Sequence, residues 1–424
     1  MKEAVIVSAV RTPIGRYLGG LKEVAACDLA GLVLKEAVKR AGTEPSQVDE
    51  IILGQSYQNG ESVNVARMAA LVAGWPVEVT GITLDRRCCS GLDAVCFAQM
   101  MIASGNAEIV VAGGVDSMSR AEFYIPGDRI KWGLEGGKDE KWGFMPKGHG
   151  ALSMWGMPFY DRIQRARVMS QPIERFGELN SMMSWAEAAA RDESITREAA
   201  DSWAAGSHLK ACAAISGGKF ADEIVPVPVP GRKGETTMFD RDEPPRPDTN
   251  VEKLSRLKAV YADGICTAGN SSTENDGAAA LVLMNAAKAH KMGLKPLARV
   301  VSHAVAAADP TLTYPAVPAA VFKCLEKAGL TIGDMDLIEI QEAFAAQTLA
   351  DAKLIGLSEE DCRQRVNVNG SGISLGHPIG ATGAMRLVTL IHEMARRKAR
   401  YGLETICGGG GQGIAAVFEQ ENWS

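Results

Sequence analysis

Short apolar runs alternate with longer amphipathic segments from the beginning of the chain. "AVIVSAV" (4–10) predicts a buried strand, and "DLAGLVLKEAVKRAG" (28–42) spaces its apolar residues for a helix closed by Gly42. "EIILG" predicts a strand. "SGLDAVCFAQMMIASG" predicts a helix with small residues at both ends, and "AEIVVAGG" the strand after it. This βα alternation predicts a mainly parallel sheet covered by helices. The pattern lapses over residues 120–250, which are rich in Trp, Arg, Met, Gly and Pro. Helices are expected there at "WAEAAARDES" and "REAADSWAAGSHLKACAAIS", within an excursion from the first sheet rather than an independent fold. Alternation returns with "AAALVLM" and "PLARVVSHAV", then the helix "PAAVFKCLEKAG" and the strand "DLIEI".

The pattern also echoes itself. Residues 79–114 run strand, polar turn with Cys88, small-residue helix, strand, Gly-Gly. Residues 366–411 run strand "VNVNG", turn with His377, helix "GAMRLVTLIHEMARRKA", strand "LETIC", then four glycines. Two duplicated α/β units facing each other would bring the two polar turns to their interface, where sites form. A chain of 424 residues exceeds what one core supports, which agrees with such a division.

Composition narrows the function. Apolar residues are 46% and charged residues 23%, a globular balance. The net charge of −6, with no long basic block, leaves nucleic-acid binding without electrostatic support. Nine scattered cysteines with no CxxC pair argue against a disulfide framework and a structural zinc site, and fit a reducing compartment. No secretory signal precedes the first strand, no apolar run reaches a membrane span, and the terminal "EQENWS" lacks Ser-Lys-Leu. A cytoplasmic location is expected.

Three turns carry candidate chemistry. "LDRRCCSGLD" (84–93) places Cys88 and Cys89 where strand hands over to helix; helix-start N–H groups favour a thiolate. Free cysteine is also among the most buried residue types, so the pair alone leaves a core role open. Of six histidines, His149, His208, His290, His303 and His392 lack a polar-turn context. His377, in "NGSGISLGHPIGATGA", is surrounded by glycine and small residues that admit a ligand to the backbone, although a helix-capping role is equally consistent. Cys407 runs into four glycines in "CGGGGQG", whose N–H groups suit an oxyanion or a phosphate. No G-x-G-x-x-G precedes a helix there, so dinucleotide binding is the weaker alternative.

Together these turns resemble those of the thiolases, acyl-CoA C-acyltransferases, over nearly the whole chain. The resemblance rests on "SAVRTPIGR", "CCSG" (88–91), "AGGVDSMS" (112–119), "TAGNSSTENDGAAA" (267–280), "QEAFAAQ" (341–347), "NGSGISLGHPIGATGA" (369–384) and "CGGGGQG" (407–413), in the family's order. It implies an α/β fold of two duplicated halves, in five α-β-α-β-α layers, with an inserted loop domain. The halves are expected at 1–119 plus 251–294 and at 295–424. The loop domain is expected at 120–250, serving CoA binding and subunit contacts.

The same resemblance implies roles. Cys88 is the nucleophile, with Cys89 in the family's small-residue slot; His377 deprotonates Cys88, and Cys407 is the acid/base for the carbanion. The N–H groups of Cys88 and Gly409 form an oxyanion hole. Gln341 stands where the family has an asparagine that positions a water, and its longer amide is expected to displace that water or shift the site toward a bulkier acyl group. Asp85 replaces a common asparagine, and Ser181 stands near a common histidine. Ser272, Phe344 and Arg232, with Lys233 beside it, match regions that contact CoA. Trp132, Trp142, Trp155 and Trp185 are candidates for lining a roomy acyl pocket.

The implied activity is cleavage of a 3-oxoacyl-CoA by CoA, in the degradative direction, on a bulky, branched or aryl acyl group. CoA is a co-substrate, and no permanently bound cofactor or metal is implied. A homodimer or homotetramer is expected, and some relatives work with a small partner protein. The alternative within the class is a biosynthetic enzyme forming acetoacetyl-CoA; outside it, a non-catalytic subunit that keeps the fold. Ketoacyl-synthase-type condensing enzymes pair their cysteine with two histidines, whereas here the third position is Cys407.

Overall fold

Five strands build the first half of the molecule: β1 (Ala4–Arg11), β2 (Glu50–Gly54), β3 (Thr80–Leu84), β4 (Ile109–Ser117) and β5 (Asn275–Asn285). Their order is β3-β2-β4-β5-β1. β2 pairs parallel with both β3 and β4, whereas β5 runs antiparallel to β4 and β1. The second half contains β6 (Ala298–Ala307), β7 (Leu337–Ile340), β8 (Tyr401–Gly408) and β9 (Gln412–Glu419), in the order β7-β8-β9-β6. A lone parallel bridge from Ile338 to Val366 stands where β3 stands in the first half. Outward from that bridge the pairings run parallel, parallel, antiparallel, antiparallel, as they do from β3. The sequence echo is therefore a structural duplication. The halves join edge to edge where Val5 and Ile6 of β1 meet Arg299 and Ala298 of β6.

The computed structural model describes residues 2–125, 159–177, 182–231 and 234–420. Two expectations need correction. The sheet is mixed rather than mainly parallel, because β8 returns as β9 through a tight hairpin and β5 comes back between β4 and β1. The strand expected at "VNVNG" shrinks to the Val366 bridge. Asn367 there has φ 46°, and its side-chain amide accepts from the Ile340 N–H and donates to the Ile340 carbonyl, both at 2.8 Å. The amide does the pairing that a strand backbone would have done.

Alternation along the strands separates three cores. Ile6, Leu281, Leu283 and Phe418 point into an inner core with Leu92 and Val388. Val5, Val10 and Val282 face the helices α1 (Ala26–Arg40) and α2 (Val65–Val72). Leu403 and Val417 face α6 (Ala316–Ala328) and the end of α7 (Ala345–Leu354). The inner core is filled by α3 (Ser90–Ser104) and α8 (Thr382–Arg397), giving five layers, α-β-α-β-α. Two helices from the excursion, α4 (Met183–Glu193) and α5 (Arg197–Ser216), lie where their sequence pattern predicts and pack on α7. No described helix is long and apolar enough to cross a membrane.

The starts of α3 and α8 touch through their backbones. A Cβ on Gly91 would lie 2.6 Å from Ala384 N, and one on Gly383 would lie 2.5 Å from Leu92 N. Each glycine is the second residue of its helix, so the contact is reciprocal. This seam sets how closely the turns before the two helices approach. Gly91→Ala is expected to destabilise the protein by about 1–3 kcal/mol in urea unfolding, by overpacking. Displacement of one turn against the other is expected to lower kcat by about 100-fold.

Candidate active site

Polar side chains shape the turn between β3 and α3. Asp85 Oδ1 accepts from the Arg87 N–H at 2.7 Å. Ser90 Oγ accepts from the Arg86 N–H at 2.7 Å and donates to the Arg87 carbonyl at 2.6 Å. Arg87 is thereby held at φ 54°, a left-handed conformation that costs roughly 1–2 kcal/mol for a residue with a Cβ. Asp85 thus anchors the turn. The outcome distinguishes the two cysteines: Cys88 faces a cavity, while Cys89 is fully buried with Sγ 3.5 Å from the Ile406 carbonyl.

The second turn supplies the imidazole. His377 Nε2 lies 3.2 Å from Cys88 Sγ, and Nδ1 lies 2.7 Å from Thr382 Oγ1 in the first turn of α8. Assigning the ring proton to Nδ1, which then donates to Thr382, leaves the Nε2 lone pair facing the sulfur. The backbone around the ring is tied on three sides. The His377 N–H donates to Asn275 Oδ1 at 2.8 Å, Arg386 Nη2 donates to the Gly376 carbonyl at 2.7 Å, and the Gly380 N–H donates to Asp116 Oδ2 at 2.6 Å. Asp116 also accepts from Ser56 and Tyr57, so one carboxylate spans both halves; burial pushes it up to about 7 despite these donors.

Burial also governs the reactive pair. It pushes the Cys88 thiol up to about 11, against the opposing pull of Arg87 and of the Gly409 and Cys88 N–H groups. It pushes His377 down to about 3, with the Arg386 and Arg167 charges adding to the effect. The expected helix-start thiolate is therefore overturned: α3 begins two residues after Cys88, and desolvation wins. Both shifts favour a neutral thiol beside a neutral imidazole. Iodoacetamide labelling of the Cys88 peptide, followed by mass spectrometry, is expected to accelerate about tenfold per pH unit from pH 6 to 9 without a plateau. A flat rate over that range would reveal a preformed ion pair instead.

The cavity, of about 640 Å³, is bordered by Cys88, His377, Cys407, Gly409, Phe344 and Ser272. Cys407 is the last residue but one of β8, and burial raises its thiol well above the ordinary range, Cys88 and Asp351 adding to the rise. The Ser272 N–H donates to the Ala343 carbonyl at 2.9 Å, and Ser271 bridges Phe344, which fixes this wall. Trp185, in α4, is buried and borders the cavity; Trp132, Trp142, Trp155, Ser181, Arg232 and Lys233 lie outside the described residues.

Gln341 is the one predicted residue among those described that does not reach the cavity lining. Its side chain is fully buried, and neither amide atom has a hydrogen-bond partner among the described residues. The extra methylene is accommodated at Gly372, where a Cβ would overlap the amide. Sequence reasoning also passed over His208, which borders the cavity with Nδ1 accepting from the Arg246 N–H at 3.2 Å, and which burial pushes down to about 4. Thr382, Asn275 and Asp116 were missed as well. Only Thr382, on the same turn as His377, had a local signal. Among the described residues, no cluster of His, Cys, Asp or Glu is placed to hold a metal ion.

Comparison with known proteins gives the chain's family. Residues 4–287 match the family description "Thiolase, N-terminal domain", and residues 294–420 match "Thiolase, C-terminal domain". The chain is 43% identical to an acetyl-CoA acetyltransferase of Pseudomonas aeruginosa, over 99% of this chain and 100% of that one. It is 42% identical to the 3-oxoadipyl-CoA/3-oxo-5,6-dehydrosuberyl-CoA thiolase of Escherichia coli, with the same coverage. The crystal structure of the Bacillus anthracis acetyl-CoA acetyltransferase superposes with a TM-score of 0.87 at 44% identity, covering 99% of each chain. The chain belongs to the thiolase family, whose members are acyltransferases.

Proposed function

We propose that the protein cleaves a 3-oxoacyl-CoA with CoA, giving two shorter acyl-CoAs through an acyl group carried on Cys88. The observation that carries this reading is the 3.2 Å approach of His377 Nε2 to Cys88 Sγ, in a cavity that also exposes Cys407. His377 takes the thiol proton as the sulfur attacks the 3-oxo carbon. The N–H groups directed at Cys88 Sγ, from Gly409 and from Cys88 itself, support a role as the oxyanion hole for the tetrahedral adducts. The bond between the α and β carbons then breaks, and the carbanion of the departing acyl-CoA takes the Cys407 thiol proton. A CoA thiol gives its proton to the Cys407 thiolate and attacks the Cys88 thioester. The released Cys88 sulfur recovers its proton from His377. Burial that keeps both groups neutral at rest holds the sulfur as a thiol until substrate is present.

The apolar lining, with Met118, Met182, Trp185, Leu254 and Phe344, supports an acyl group larger than acetyl and hence the degradative direction. CoA acts as co-substrate, with Ser272 and Phe344 along its arm and the 120–250 excursion, Arg232 included, supplying further contacts. Among the described strands β3 is an edge, with Ile82 exposed on it and Val77 exposed shortly before it, which supports association of two copies of the chain. The test is to mix the protein with a 3-oxoacyl-CoA in the absence of free CoA and weigh it. An acyl adduct on the Cys88 peptide, released by added CoA, is expected. Absence of an adduct with short, long, branched and aryl substrates alike would refute the reading.

A further inference from the structure

Arg386 stands near the start of α8, and its side chain is fully buried. Its Nη2 donates to the Gly376 carbonyl at 2.7 Å. Gly376 has φ 96°, and a Cβ there would lie 2.6 Å from the Asn275 amide, so the residue before the imidazole is gripped from both sides. Among the described residues Arg386 Nε and Nη1 have no hydrogen-bond partner, and the guanidinium forms no ion pair. The acids around it are neutral or engaged elsewhere. Burial pushes Glu339 of β7 up to about 8 and Glu404 of β8 well above the ordinary range. Ser371 donates to Glu339, and both Glu404 oxygens lack a partner among the described residues. Glu342, in the turn after β7, accepts from Trp203, Ser207, Asn367 and Ile373. Asp242 is taken by a second cation, Arg11, at 2.8 Å, and Glu223 pairs with Arg11 as well.

The other ionisable groups around His377 carry no comparable unpaired charge. Arg167 is balanced by Glu274 at 2.6 Å, and Asp116 is held by the N–H groups of Ser56, Tyr57 and Gly380. A buried charge without a counter-charge, one peptide away from a base, acts strongly on any charge that the base acquires. Resting on the thiolase reading above, we infer that Arg386 is a positioning residue for His377: its hydrogen bond holds the Gly376–His377 turn, and its unpaired charge opposes protonation of the ring by solvent. Nε2 then stays open for the Cys88 proton as the solution turns acidic. The same repulsion drives the proton from the imidazolium back to the Cys88 sulfur when CoA cleaves the thioester. Burial is the larger influence on the ring, and Arg386 is the first of the charges that add to it.

The test separates the charge from the hydrogen bond. Arg386→Gln keeps a donor for the Gly376 carbonyl without charge, Arg386→Lys keeps the charge, and Arg386→Met keeps neither. The full chain, held at pH 7, is mixed with acetoacetyl-CoA, or failing reaction with a long, a branched or an aryl 3-oxoacyl-CoA, in buffers from about pH 3 to 8. The mixture is quenched within about a second, before acid unfolds the protein, and the acyl adduct on Cys88 is weighed. With the cation gone the ring takes a proton at higher pH, so acylation is lost sooner as pH falls. The acid limb is therefore expected to move up by about one pH unit or more in Arg386→Gln and Arg386→Met, and to stay near its wild-type position in Arg386→Lys. A limb that does not move in the neutral variants, while the rate falls at every pH, overturns the inference and leaves Arg386 a support of the fold. An equal shift in all three variants overturns it too. If neither neutral variant folds, the ¹⁵N spectrum of the wild-type His377 ring decides: an imidazolium at pH 6 overturns the inference and a neutral ring upholds it. These results leave the thiolase reading standing as long as the wild type forms the adduct. No adduct with any of the four substrates overturns both.

Discussion

Cys88→Ala is expected to lower thiolysis on the order of 10⁵-fold and to abolish the acyl adduct seen by mass spectrometry. The size follows from the arrangement: His377, Gly409 and the Cys88 N–H all converge on one sulfur, so removing it idles the rest. Cys89 offers no substitute, although it is the next residue. Its sulfur points at the Ile406 carbonyl beneath the sheet end, and a Cβ on Gly408 would come within 2.8 Å of it. Cys89→Ala is accordingly expected to change kcat less than tenfold, with its main effect on stability through a small internal cavity. Loss of the adduct in Cys89→Ala, and its survival in Cys88→Ala, would invert the assignment.

The second large effect is expected at Cys407. Cys407→Ala should lower cleavage of the carbon–carbon bond by about 10³–10⁴-fold, because the departing carbanion loses its proton donor. Exchange of an acetyl group between acetyl-CoA and labelled CoA needs only Cys88, His377 and the oxyanion hole, so exchange should fall far less. Cleavage is read by the disappearance of the 3-oxoacyl-CoA and exchange by label in acetyl-CoA. Equal losses in both assays would show that Cys407 supports the shape of the site rather than moving a proton. Its buried thiol, raised well above the ordinary range, suits it to hold its proton until a carbanion is present to take it.

Much of the site was legible before any coordinates. Cys88, His377, Cys407 and Gly409 lie on three separate turns of the sequence, and all four border one cavity. Helices α4 and α5 were also legible, because apolar periodicity is local information. What was not legible depended on groups far apart in the chain. Asn275 fixes the His377 N–H from 102 positions away, and Asp116 reaches Gly380 from 264 positions away, with no local motif to mark either. The behaviour of Gln341 was missed for a related reason: its amide settles against Gly372, a neighbour supplied by a different turn.

The amino-acid sequence by itself determined the duplicated pattern, the helices and the candidate residues on the three turns, since periodicity and motif are properties of short segments. The tertiary structure alone decided which cysteine meets the imidazole and how far burial shifts the two groups. Those outcomes depend on burial and on contacts between turns hundreds of residues apart, and desolvation is set only when both halves close around the same sulfur.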